Sequence, residues 1–153
     1  MLLTGVFANL PWKSRHILIQ NEANYHQLFS EAKAALAAGT EANDLATQMR
    51  WLGGVVLPVT GMHFLTYRWD KSSVADGTFW INRIPRPILM IRGKNDTTVL
   101  DFEPNMLLAA ATAEGTLVPY IQYVPLPNAS HGLDGNESGA IAAVIAWLQG
   151  LGL

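Results

Sequence analysis

The sequence predicts an α/β fold in which helices flank a parallel sheet. Three apolar stretches are typical of buried strands: one from Leu2 to Phe7, one at 88–91 and one at 120–124. Amphipathic helical stretches follow the second and third, which gives the strand, helix, strand, helix order of a parallel sheet. With 153 residues the chain is long enough to bury a substantial core. We therefore expect one domain over 1–153.

The opening strand and the helix after it have clear boundaries. The run from Leu2 to Phe7 starts at the first residue without a turn before it, and we interpret it as a fold truncated at its N-terminus. Asn21 is a suitable N-cap for the next helix, and Gly39 is a suitable end. The expected buried face of this helix consists of Tyr25, Leu28, Phe29, Ala32 and Leu36.

Two more helices are predicted before the second strand, at 41–52 and 58–69. The first has Leu45, Met49 and Leu52 at helical spacing and precedes two glycines. In the second, Pro58 suits a first helical position. Its expected apolar face consists of Met62, Leu65 and Trp69.

The second half of the chain alternates between helix and strand. Asp76 is a candidate cap for a short helix to Ile84, after which Pro85 and Pro87 lead into the strand at 88–91. A helix at 104–113, ended by Gly115, precedes the strand at 120–124. The last helix, at 140–148, is expected to cover one sheet face with Ile141, Val144, Ile145 and Leu148.

Two acid–base residues follow the last two predicted strands. Asp96 lies in a polar loop that begins at Gly93, and His131 lies between Ser130 and Gly132. Because the carboxyl ends of adjacent parallel strands share one edge of a sheet, the carboxylate can orient the imidazole. Taken alone, Asp96 fits a turn or helix cap equally well. Asp101 is the fallback carboxylate, although we expect it to cap the following helix.

The stretch from Pro87 to the end resembles the α/β-hydrolase family, through Gly93-x-x-Asp96 after a strand and Ser130-His131-Gly132 before the final helix. The resemblance implies that the three strands are the sixth, seventh and eighth of that fold, and that the segment 20–84 is a helical cap. It also implies that Asp96 and His131 are the acid and base of a Ser-Asp-His triad. The Gly-x-Ser-x-Gly elbow is absent, since the only two glycines spaced for it, Gly135 and Gly139, enclose Glu137.

Composition excludes several function classes. Only 14% of the residues are charged and the net charge is -2, so we expect no nucleic-acid partner. No run is long enough to span a membrane, no signal peptide is evident, and a chain without cysteine is assigned to the cytoplasm by default. We expect no cofactor and no metal, because His16, His26 and His63 lack metal-ligand spacing.

Three interpretations remain open. The chain is the acid–base part of a serine hydrolase for a small-molecule ester or acyl substrate, with its serine in a missing N-terminal half or a partner chain. Alternatively, it is a non-catalytic binding protein that forms homo-oligomers through the strand from Leu2 to Phe7, or an incomplete fragment. Ser130 is a poor substitute nucleophile because it neighbours His131 on an extended loop. Six aromatic residues are candidates for core packing or for a substrate pocket: Trp51, Phe64, Tyr67, Trp69, Phe79 and Trp80.

Overall fold

In the part of the chain that the structure describes, helices flank a three-stranded parallel sheet, which confirms the predicted α/β class. The computed structural model describes residues 1–19, 21–50, 56–72 and 74–153. It contains two compact units: the sheet unit, formed by Met1–Ala8 and Gly77–Leu153, and the helical unit, Asn9–Asp76. The predicted cap-like segment, 20–84, overlaps the helical unit over most of its length. Its role as a cap, within one domain, stays a prediction.

The elements below are named in chain order. They are β1 (Leu2–Thr4), α1 (Leu10–Lys13), α2 (Glu22–Ala38), β2 (Met49–Arg50), β3 (Val56–Leu57), α3 (Gly61–His63), α4 (Gly77–Ile81), β4 (Ile88–Gly93), α5 (Glu103–Ala111), β5 (Ile121–Leu126) and α6 (Glu137–Gly150). Two π-helical turns, Ser14–Ile19 and Phe64–Arg68, follow α1 and α3. None of the described helices combines the length and the apolar character needed to cross a membrane.

The sheet has the order β1-β4-β5, with both neighbouring pairs parallel. All three predicted strands are therefore present, and β4, the central one, is buried along its full length. The register aligns Leu3 with Met90 and Met90 with Tyr123. Strand β1 ends at Thr4 rather than Phe7, because Gly5 turns the chain with a φ of +56°. This order places the carboxyl ends of the three strands at one edge.

Alternate residues of β4 pack into two hydrophobic cores on opposite faces of the sheet. On one face, Ile88 and Met90 pack with α4 and α5 through Ile81, Leu107 and Ala111. On the other face, Leu89 and Ile91 pack with Leu126 and with Trp147 of α6. The helix α6 therefore covers the face as predicted, although Ile141 and Ile145 are 62% and 50% exposed rather than buried.

Helix α2 dominates the helical unit and matches its prediction closely. The Asn21 side chain accepts a hydrogen bond from the N–H of Asn24, and Gly39 ends the helix with a φ of +69°. Tyr25, Leu28 and Ala32 are buried in the core of this unit. Leu36 is exposed, so the prediction that it belongs to the buried face is wrong.

The helix predicted at 41–52 is wrong over its described part, 41–50, and residues 51–52 lie outside the described residues. This segment consists mainly of turns and bends, and its last two residues form β2, with Met49 opposite Leu57 of β3 in an antiparallel pair. Leu45 donates its N–H to Val59, and Glu31 accepts the N–H of Thr47. Leu45 and Met49 are both buried. A spacing of four residues places side chains on one face of a strand as well as of a helix, so the pattern was ambiguous.

Two short helices differ from their predicted bounds. In the predicted helix 58–69, Pro58 precedes the helix; α3 begins at Gly61 because the Thr60 side chain accepts the N–H of His63, and a π-helical turn completes the segment. Met62 is 49% exposed, whereas Phe64 is fully buried. Helix α4 ends at Ile81 rather than at Ile84.

Candidate active site

Asp96 lies in the loop that follows β4, which we name the acid loop (94–102). Its Oδ1 atom accepts the backbone N–H groups of Thr98, at 2.7 Å, and Val99, at 2.9 Å. The carboxylate is fully buried. Asp96 is therefore a turn aspartate, as the simpler interpretation predicts, and its second oxygen, Oδ2, remains available to another group.

His131 lies in the loop that follows β5, which we name the histidine loop (127–136). Ser130 closes a turn around it, because its N–H donates to the carbonyl of Asp134 at 3.0 Å and its Oγ donates to the Asp134 carboxylate at 2.8 Å. Asn128 and Leu133 adopt positive φ angles of 59° and 67°. The loop is thus compact, with Ala129 fully buried at its base.

Gly93 allows the two loops to meet. A Cβ atom at this position would press into the backbone oxygens of Ala129 and Ser130, so no larger residue fits without moving the histidine loop. The N–H of Asn95 also donates to the carbonyl of Ala129 at 2.9 Å. This close backbone approach joins the ends of β4 and β5.

The structure brings Asp96 and His131 together, although they lie 35 positions apart in the sequence. Nδ1 of His131 lies 2.9 Å from Oδ2 of Asp96, and the imidazole is 46% exposed. Because an ionised carboxylate only accepts hydrogen bonds, Nδ1 carries the proton in this pair. That tautomer leaves Nε2 with its lone pair, the form in which an imidazole can accept a proton from a nucleophile.

The surroundings of Asp96 keep its carboxylate ionised. Burial alone would raise the pKa of Asp96, but hydrogen bonds from His131 and from the N–H groups of Val99 and Thr98 outweigh it. The pKa therefore lies below its ordinary value of 3.8. The acid of the pair is charged at neutral pH.

Gly5, which sequence reasoning missed, lies beneath the imidazole. A Cβ atom on Gly5 would lie 2.9 Å from Cε1 of His131, so the ring rests against the chain where β1 ends. The imidazole thus reaches from the loop after β5 across the sheet to the end of β1. Gly5 lies inside the stretch predicted as a strand, and a glycine within a strand pattern is the only signal that could have pointed to this contact.

Glu103 was also missed. It is 2% exposed, and its carboxylate accepts the N–H of Leu100 at 2.7 Å and that of Ala8 at 3.3 Å. It therefore ties the acid loop to the segment after β1. A glutamate just inside the start of a helix is a common capping pattern. That pattern does not predict the contact between Glu103 and Ala8.

Asp101 does not cap the following helix, so that expectation is wrong. The residue before α5 is Phe102, which makes no capping hydrogen bond through its side chain. The Asp101 side chain is 90% exposed and forms an ion pair with Arg92 at 2.7 Å. The Ser130 hydroxyl donates a hydrogen bond to Asp134, which agrees with its description as a poor substitute nucleophile.

The other residues singled out from the sequence lie in different surroundings. His26 is exposed beside Glu22, with 3.5 Å between its Nε2 atom and a carboxylate oxygen. His63 accepts a hydrogen bond from Arg68. Among the described residues, no three histidine or acidic side chains group as a metal site would require. Of the six aromatic residues, Phe64 is buried, Tyr67, Phe79 and Trp80 are partly exposed, Trp69 stacks on Phe29, and Trp51 lies outside the described residues.

Comparisons with known proteins do not identify this chain. It matches no protein-family model, no curated protein and no solved structure.

Proposed function

We propose that this chain supplies the acid and base of a serine hydrolase of the α/β-hydrolase type that acts on carboxylic esters. His131 accepts the proton of a serine nucleophile at Nε2, and Asp96 orients the ring through Nδ1. The observation that carries this proposal is the 2.9 Å contact between Asp96 and His131 at the carboxyl ends of neighbouring parallel strands. The class of ester rests on the family resemblance alone.

The placement of the imidazole supports a nucleophile delivered beside β1. Among the described residues β1 is an edge strand, paired with β4 on one side, and His131 rests against Gly5 where β1 ends. A further parallel strand would lie about 4.8 Å beyond β1. A serine at the carboxyl end of that strand, on another segment of polypeptide, would lie near the Cε1 edge of the ring, next to Nε2.

A second candidate function is self-association without catalysis. Beside β1 an apolar groove of about 270 Å³ is lined by Leu2, Leu133, Ile141 and Ile145 among others. Apolar surface next to an open strand edge favours pairing with another chain. Analytical ultracentrifugation of the native chain and of Ile141→Lys tests this candidate. A native dimer that dissociates in the variant supports it, and a native monomer contradicts it.

The hydrolase proposal is tested with a fluorophosphonate probe and a short p-nitrophenyl ester. We expect intact-mass analysis to show no phosphonylated serine on the isolated chain. We expect only slow ester cleavage, lost in His131→Ala and reduced about tenfold or more in Asp96→Asn, because an unoriented imidazole is a poor base. His26→Ala is the matched control, since His26 also lies beside a carboxylate, but that carboxylate, of Glu22, is exposed whereas that of Asp96 is buried.

Each outcome has a defined meaning. Cleavage that His131→Ala leaves unchanged would contradict the assignment of the base. A phosphonyl adduct that disappears in His131→Ala would mean that this chain also holds the nucleophile, and peptide mapping would locate it.

A further inference from the structure

Arg92, the penultimate residue of β4, places a charged group inside the sheet unit. The residue is only 5% exposed, although a buried guanidinium loses much of its hydration. Such a group is expected to be fully hydrogen-bonded. Arg92 contacts three groups of the acid loop.

The three contacts of Arg92 span the acid loop. Nε donates to the carbonyl of Val99 at 2.7 Å, and Nη2 donates to the carbonyl of Asp96 at 2.8 Å. Nη1 lies 2.7 Å from the exposed carboxylate of Asp101. The planar fork of a guanidinium can make these bonds together, whereas an ammonium cannot.

We propose that Arg92 is a positioning residue that holds Asp96 in the orientation that serves His131. Arg92 binds the backbone carbonyl of Asp96 and leaves its carboxylate to other donors. Oδ1 is occupied by the loop N–H groups, so Oδ2 is the oxygen that faces Nδ1 of His131. The cation thus fixes the loop without competing with the imidazole for the carboxylate.

This inference rests on the proposed function, because orienting the pair matters only if His131 acts as a base. The pair itself can be observed without any reaction. A histidine Nδ1 proton held by a carboxylate exchanges slowly and gives a separate signal in proton NMR, downfield of the amide protons. The native chain, labelled with ¹⁵N, should show this signal for His131, and Asp96→Asn should lack it.

Arg92→Met and Arg92→Lys test the role of the fork. We expect both to lose the His131 signal or to raise its exchange rate by about tenfold or more, since the loop opens more easily without these bonds. Thr98 and Val99 should lose amide protection in parallel. Asp101→Asn should have a smaller effect, because both carbonyl contacts of Arg92 remain.

Ile81→Ala is the control for a general loss of stability. Ile81 is buried in the core that α4 and α5 form on one face of the sheet. It should lower the thermal midpoint while leaving the His131 signal in place. If Arg92→Met does not fold, Arg92→Lys and Asp101→Asn still test the proposal, because the first keeps the positive charge and the second keeps both carbonyl contacts of Arg92.

Three results would overturn the proposal: no His131 signal in the native chain, an unchanged signal in folded Arg92→Lys, or equal loss in Ile81→Ala. Failure of the proposed function gives a different result. In that case the signal depends on Arg92 as expected, but ester cleavage does not depend on His131.

Discussion

The acid loop and the histidine loop leave neighbouring strands but are held in different ways. The acid loop is anchored by buried charged groups, Arg92 and Glu103, and by the carboxylate of Asp96 itself. The histidine loop is held by a partly exposed bond between Ser130 and Asp134 and by residues with positive φ. As a result the carboxylate is fully buried while the imidazole is 46% exposed. The acid is therefore the fixed member of the pair, and the base is the member that another molecule can reach.

The largest effect is expected from Gly93→Ala, which acts on both loops. The added Cβ would press into the backbone of the histidine loop, and backbone cannot move aside as a side chain can. We expect the free energy of unfolding to fall by about 3 kcal/mol and the contact between Asp96 and His131 to be lost. Urea unfolding and the His131 NMR signal measure the two effects, with Gly150→Ala as the control, since a Cβ there meets nothing within 4 Å. A stable Gly93→Ala chain that retains the signal would show that the loops meet by some other contact.

Asp96→Asn removes a negative charge from the acid loop and should have an intermediate effect on the free energy of unfolding. Near neutral pH we expect a loss of about 2 kcal/mol, because hydrogen bonds to a buried charged group are replaced by weaker ones. The folded pKa of Asp96 is depressed, so its contribution is present above the ordinary value of 3.8 and is lost as pH falls through the lower folded value. The stability difference between the native chain and the variant should therefore shrink below about pH 4.

Urea unfolding from pH 7 to pH 2.5 measures this difference, with exposed Glu114→Gln as the control. A difference that stays constant over the whole range would mean that the Asp96 pKa is not depressed in the folded chain.

The smallest effect is expected from Ser130→Ala in the histidine loop. It removes one partly exposed hydrogen bond to Asp134, so we expect a loss of about 0.5 kcal/mol and an unchanged His131 signal. A loss as large as that of Asp96→Asn would remove the distinction between the two loops. Thermal unfolding of the two variants side by side measures it.

The strands of the sheet and the pairing of Asp96 with His131 were predictable for the same reason. A continuous apolar run bounded by prolines and a glycine indicates a central parallel strand such as β4. Once two such strands are adjacent, the residues after them lie at one edge of the sheet. The meeting of Asp96 and His131 therefore follows from strand ends alone, while their catalytic role stays a proposal.

Gly5, Arg92 and Glu103 could not be assigned in this way. Their contacts depend on register and loop shape, as in the bond from Ala8 to Glu103 across 95 positions of sequence. The helix prediction for 41–50 was wrong for a local reason, since the apolar spacing of this segment fits a strand as well as a helix. Its conformation is set by partners in β3 and α2, which the segment itself does not encode.

The placement of β1 has a consequence for how the chain folds. The ammonium group of Met1 donates to the carbonyl of Pro87, 86 positions away, whereas β4 and β5 are separated only by α5 and its turns. Closing the longer loop costs more chain entropy, so β4 and β5 should pair first. The acid and histidine loops would then form before β1 arrives. Until it does, the central strand has an unpaired edge, which makes this interval the stage of folding most exposed to aggregation.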